Sequence, residues 1–233
     1  MSAHDQISVF FLYAFALGSP VSISVGSLAA GGLILSGLVK LALDPAARAV
    51  VPRPVASALA AWLAWTVLTT LLSPYATKLG TLGDETWIKL LLPTVAAAAT
   101  TVPRHVVRAL IAYLAVGTLI GIYGIYQHFT GDEFFTDEWV PGAGNRWHAV
   151  GAYGHHLSYG GHVVGLWLLG VAYATGVQAP RTWIRRGLLV VAGVLISLAF
   201  LWSHARSAQL GGLAGALVVA AFLSAPRRRL AFG

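Results

Sequence analysis

The sequence predicts an all-α fold, a polytopic bundle of membrane-spanning helices. Its composition is 57% hydrophobic and only 10% charged over 233 residues, more apolar surface than a soluble domain of that size needs. Apolar runs recur at lengths suited to a bilayer. The basic residues gather in short clusters between those runs, a pattern that orients a membrane protein and differs from the continuous basic face of a nucleic-acid binder. The net charge of +7 is therefore read as a topology signal, and no nucleic-acid partner is expected. With no cysteine in the chain, disulfides and thiolate metal sites are excluded. The N-terminus, Met1 to Asp5, lacks the basic start of a secretory signal, so the first apolar run is expected to remain.

A helix crossing the hydrocarbon core needs about 20 mostly apolar residues, and on that measure the runs resolve into about eight spans. They are placed at 7–20, 22–39, 54–72, 87–102, 108–129, 158–178, 187–203 and 207–224, within a single transmembrane domain covering 1–233. The split inside 7–39 rests on Gly18, Ser19 and Pro20, which favour a tight turn; read as one helix, the segment lowers the count to about seven.

Eight spans with the N-terminus cytoplasmic give one side Lys40, Arg48, Arg53, Arg104, Arg108, Arg181, Arg185, Arg186 and Arg227 to Arg229, eleven of the fifteen basic residues. The other side receives Lys78, Lys89, Arg146 and Arg206, with six of the eight acids, among them Asp132, Glu133, Asp137 and Glu138. Cytoplasmic loops are enriched in Lys and Arg, so the loop 130–157 is expected on the outer face of a bacterial inner membrane. Small residues spaced four apart, Gly117/Gly121, Gly161/Gly165 and Gly211/Gly215, are read as helix-packing positions.

The outer loop concentrates the residues that can carry chemistry. His148, His155, His156 and His162 follow its four acids, but their spacing matches no ligand pattern, so no metal site is assigned. Trp139, Trp147, Tyr153 and Tyr159 read either as part of a functional loop or as anchors at headgroup depth. Gln127 and His128 end a span, where they either line a polar cavity or cap the helix toward headgroup water. Arg206 stands between two apolar runs after Ser203, His204 and Ala205. An arginine near membrane depth costs up to about 3 kcal/mol on insertion scales, which makes it the leading single candidate. Together with Arg146 it would set two guanidinium groups on the outer face, suited to clamping a diphosphate.

Three stretches resemble the O-antigen ligase/O-antigen polymerase superfamily of bacterial envelope glycosyltransferases: Gly121 to Gly131, which holds Tyr123, Tyr126, Gln127 and His128; Ala149 to Gly161, with its glycines, tyrosines and paired histidines; and Ser203 to Gly211, similar to a Ser-x-Ser-Arg-Gly/Ser-Ala stretch. The resemblance covers the chain from about residue 60 onward. It implies transfer of glycan from an undecaprenyl-diphosphate carrier to a glycan or lipid acceptor at the periplasmic face, with no metal or other cofactor. By that resemblance Arg206 binds the carrier diphosphate, joined by Arg146 or by His148, which stands nearer the family's arginine position. Gln127, Tyr153 and Ser203 would line the cavity. The family pattern continues with a further outer loop, carrying an acceptor-activating histidine, and more helices. The expectation is thus of a chain lacking the family's C-terminal part, in which His155, His156 or His204 stands in as catalytic base. A transporter or permease, suggested by the broken 7–39 segment, and a non-catalytic membrane subunit are the alternatives.

Overall fold

The computed structural model describes residues 3–45, 102–134, 142–143, 146–175 and 182–224, together with a few helical positions between 60 and 98. Among the described residues the fold is helical, with one short ladder. The helices are α1 (Ala3–Gly18), α2 (Ile23–Leu43), α3 (Pro103–Thr130), α4 (His156–Thr175), α5 (Trp183–Trp202) and α6 (Arg206–Ser224). Four of these six, α2 to α5, are long and apolar enough to cross a membrane. Eight spans are more than the described residues carry: the expected spans 54–72 and 87–102 lie largely outside them. Elsewhere the expected and observed bounds differ by a few residues, the largest shift being the start of α3, where Pro103 opens the helix five residues before the expected 108. Proline suits that position because the first helical N–H groups have no intrahelical partner.

Contacts divide the chain into two units, one ending at Ala112 and a second comprising Tyr113 onward with Pro20–Ser22. In the first, the 7–39 segment is two helices, as the split reading expects; the one-helix alternative fails because Pro20 cannot continue a helix and the chain turns at Ser19–Val21. The two helices pack closely. A side chain at Gly26 would strike Ser19, and one at Gly32 would strike the ring of Phe11. The Ser8 hydroxyl donates to Ser36 at 3.1 Å, which keeps both polar groups satisfied between helices. An ion pair of Asp5 with Lys40 closes the open end of the hairpin.

In the second unit, glycines of α3 seat the other helices: a Cβ at Gly117 would strike Leu166 and one at Gly124 would strike Tyr159, while Gly121 faces Ala199 at van der Waals distance. Of the expected small-residue pairs only Gly117/Gly121 packs as a pair. Gly215 meets Leu168, whereas Gly161, Gly165 and Gly211 face open space. Gly160 takes the close contact instead, against Ala205 and Ser203. The Trp167 indole donates to Ser197 at 3.0 Å and ties α4 to α5. Leu188, Val191 and Val194 on α5, with Leu213 and Leu217 on α6, point outward and exposed. An apolar exterior over bundled helices, whose backbone groups are paired within each helix, is what lipid solvates, and the protein is a membrane protein.

Candidate functional site

The second unit runs α3, α4, α5 and α6 in alternating directions, so one end collects the C-termini of α3 and α5 and the N-termini of α4 and α6. Arg185 and Arg186 lie at the other end, on the first turn of α5. The loop residues gather at the first end, and the sequence-predicted site is built there.

Helix α3 ends in a glycine cap. Gly131 has φ +75° and its N–H bonds to Gln127 O at 2.8 Å; the left-handed conformation suits glycine, and a side chain there would strike the Trp147 indole. Four residues before the cap, Gln127 is fully buried at 0% exposure. Its amide oxygen accepts from Gly151 N at 2.8 Å and Val150 N at 3.2 Å, and its amide nitrogen donates to Gly151 O at 3.0 Å. His128 is buried too, its Nδ1 bonded to the Trp147 carbonyl and its ring stacked on Trp202 at 4.8 Å. Neither residue caps α3 toward headgroup water, and Gln127 does not line an open cavity. Both clamp the segment 147–151 onto the bundle end, because a buried amide must find partners and loop backbone supplies them. Ala149 N completes the clamp by bonding to Trp202 O at 3.0 Å.

The aromatic residues turn inward. Tyr159 is fully buried and donates to Ile120 O at 3.3 Å. It lies under Gly151, whose φ of +56° and crowding against the Tyr159 ring exclude a side chain. Tyr153 packs on His162 at 5.2 Å, and burial pushes its phenol above the ordinary tyrosine range, so it is a neutral hydrogen-bonding group. These two tyrosines therefore serve packing rather than anchoring at headgroup depth. Trp139 lies outside the described residues.

Four histidine rings form a chain of contacts around His148. It stacks on His156 at 4.8 Å and meets His204 edge-on at 4.9 Å; His204 in turn lies 6.0 Å from His128. His155 stacks on the far side of His156 at 4.9 Å. Adjacent positions on a helix would point these two rings apart, but His155 lies just outside α4 and caps it, its Nδ1 accepting from Leu157 N at 3.3 Å. That bond occupies the His155 ring in holding the helix start. His148 Nδ1 is buried with no hydrogen-bond partner among the described residues. Burial, then the neighbouring His156, His204 and His128, hold the His148 imidazole below its ordinary range, so it stays neutral where a free histidine begins to protonate.

The connection from α5 to α6 is only Ser203, His204 and Ala205. Ser203 is fully buried, donating to Phe200 O at 2.7 Å and accepting from Ala205 N at 3.4 Å, so it braces the turn and faces no open space. His204 is exposed with φ +53°. Arg206, exposed, is the first residue of α6. It therefore stands at a helix end. Arg146 has its backbone in the two-residue ladder, β1 (Gly142–Ala143) with β2 (Arg146–Trp147), pairing with Ala143; its side chain lies outside the described residues. Of the acids, Asp132 accepts from Tyr126 Oη at 3.1 Å, and Asp137 and Glu138 lie outside the description. No three His, Asp or Glu among the described residues are placed to hold a metal ion.

Sequence reasoning missed the clamp roles of Gln127 and His128 and the enclosed pairing of His162 with Tyr113, whose hydroxyl lies 3.5 Å from His162 Nδ1. The available signal was a polar residue within an apolar run, which has to be satisfied inside the bundle. The arrangement defines a class: a multi-spanning membrane protein with a histidine cluster and an exposed arginine at one end of a helical unit. No family model, curated protein or solved structure matches the chain.

Proposed function

We propose that the protein is an inner-membrane transferase of the O-antigen ligase/polymerase kind, moving glycan from an undecaprenyl-diphosphate carrier to a glycan or lipid acceptor at the periplasmic face. The observation that carries this reading is the convergence of His148, His156 and His204 beside the first turn of α6, which begins at Arg206. A cation at a helix N-terminus opposes the helix dipole. The same turn becomes favourable once an anion arrives, since its first N–H groups have no intrahelical partner and Arg206 brings a permanent positive charge to it. That is a seat for a leaving diphosphate. His148, kept neutral, is the acceptor-activating base, and His156 and His204 position it; this exchanges the roles expected from sequence, where His148 was the anion partner. The general-base role needs an imidazole neutral at the working pH, while the anion role is met by Arg206, whose charge is permanent.

The pH profile tests His148 directly. Because its imidazole is held below the 6.5 of a free histidine, the base form persists further on acidification, and the acidic limb of transfer activity should have its midpoint below pH 6.5. A descending limb centred at or above 6.5 would remove His148 from the role. Substitution of Arg206 in a complemented deletion strain, with surface glycan as readout, tests the diphosphate seat.

One observation favours a second reading. His162 lies inside α4 with its Nε2 buried and unpartnered among the described residues, and an ionisable group at such depth is a hallmark of ion or proton pathways. Uptake by proteoliposomes that disappears in His162→Leu would support a transporter.

A further inference from the structure

Away from the histidine end, the second unit contains a groove of about 350 Å³ between α3, α4 and α5. Leu114, Leu166, Trp167, Gly170 and Gly193 are among the residues that form its walls, and Arg186 is its charged lining residue. The Trp167 N–H is already satisfied by Ser197, so apart from Arg186 the wall is apolar, and a half-open groove of this kind favours an apolar occupant. The volume exceeds twice the roughly 150 Å³ of a dry cavity that takes up benzene.

We infer that this groove binds one acyl chain of an anionic phospholipid, whose phosphate is held at the mouth by Arg186. Dimensions support a chain lying along the helices. From Arg186 to Ile196, both lining residues, α5 rises about 15 Å at 1.5 Å per residue, half of the roughly 30 Å hydrocarbon core. The groove therefore runs from headgroup depth to the bilayer midplane. Trp183, 81% exposed one turn before Arg186, marks that depth as an interfacial aromatic does. A helix of a second copy is the competing occupant, but it offers no counter-charge to Arg186 such as a lipid phosphate supplies. Arg185 beside Arg186 adds to the attraction for an anionic headgroup. The floor is shaped by glycine: among the described residues a Cβ at Gly193 meets nothing within 4 Å, which leaves room there for a ligand.

The test uses the full chain, washed of lipid in detergent, incubated with equal amounts of phosphatidylglycerol and phosphatidylcholine, and read by native mass spectrometry. The wild type is expected to retain one phosphatidylglycerol in preference to phosphatidylcholine. Gly193→Phe, which fills the groove, should reduce the retained lipid severalfold, whereas Gly211→Phe, adding the same bulk to an open face of α6, should not. Arg186→Gln should keep a bound chain but lower the preference for phosphatidylglycerol by about fivefold, the effect of one arginine near a charged lipid surface. Equal retention of the two lipids by the wild type, or unchanged retention in Gly193→Phe, overturns the inference, as does a loss of self-association in Gly193→Phe with lipid unaffected. Should Gly193→Phe fail to fold, Gly170→Leu takes its place, since a Cβ at Gly170 makes only an ordinary 3.6 Å contact with Leu114.

Discussion

Replacing Arg206 with alanine is expected to cut glycan transfer by about 100- to 1000-fold, the loss that follows removal of one preorganised charge-stabilising donor, while leaving the protein at least as stable. The two effects separate because Arg206 is exposed at the start of α6. Surface substitutions of that kind change stability by less than about 0.5 kcal/mol, and removing a cation from the positive end of a helix relieves an unfavourable interaction of about 0.3–1 kcal/mol. Arg206→Lys keeps the charge but loses the two-pronged hydrogen bonding of the guanidinium, so its activity should fall between the two. Surface glycan in a complemented deletion strain reads the activity, and thermal unfolding of purified protein reads the stability. Polymer that is unchanged in Arg206→Ala removes the arginine from the diphosphate seat.

The second large effect concerns folding and falls on Gln127. Gln127→Leu keeps the side-chain bulk but deletes three hydrogen bonds, to the backbone N–H groups of Val150 and Gly151 and to the Gly151 carbonyl. Each abandoned buried group costs about 1–3 kcal/mol, so a loss of roughly 3 kcal/mol or more is expected. The damage should be local before it is global. His148 lies in this segment, two residues before Val150, and its burial depends on the clamp. Limited proteolysis should therefore cut Gln127→Leu within 147–155 under conditions that leave the wild type intact. Full resistance with an unchanged melting temperature would show that the segment is held by other contacts.

The helices were legible because lipid imposes a coarse rule: runs of sufficient apolar length, broken by charge or proline, become spans. That rule placed the hairpin break at Pro20 and brought α4 and α5 to within a few residues of their bounds. The site was legible only as an inventory. Charge asymmetry singled out the loop, yet nothing periodic connects Gln127 with atoms 24 residues further along, and that bond decides whether the loop floats or folds inward. The pair His155 and His156 shows the same limit at shorter range. Whether two adjacent rings diverge or stack depends on which residue starts the helix, a boundary that sequence patterns locate to within a few residues at best. Gly117/Gly121 packs as its spacing suggests, but Gly161/Gly165 and Gly211 do not, for a related reason: spacing of four marks a helix face but does not say which face another helix covers.

His204 is the non-glycine residue with positive φ among those described. For most side chains that backbone geometry costs about 1–2 kcal/mol, a cost glycine escapes. Natural or laboratory selection acting on stability alone would therefore push this position toward glycine and remove the imidazole that meets His148 edge-on. If the proposed function holds, a variant made more heat-resistant by glycine at 204 is expected to lose part of its transfer activity, since stability and activity are then in competition at that position.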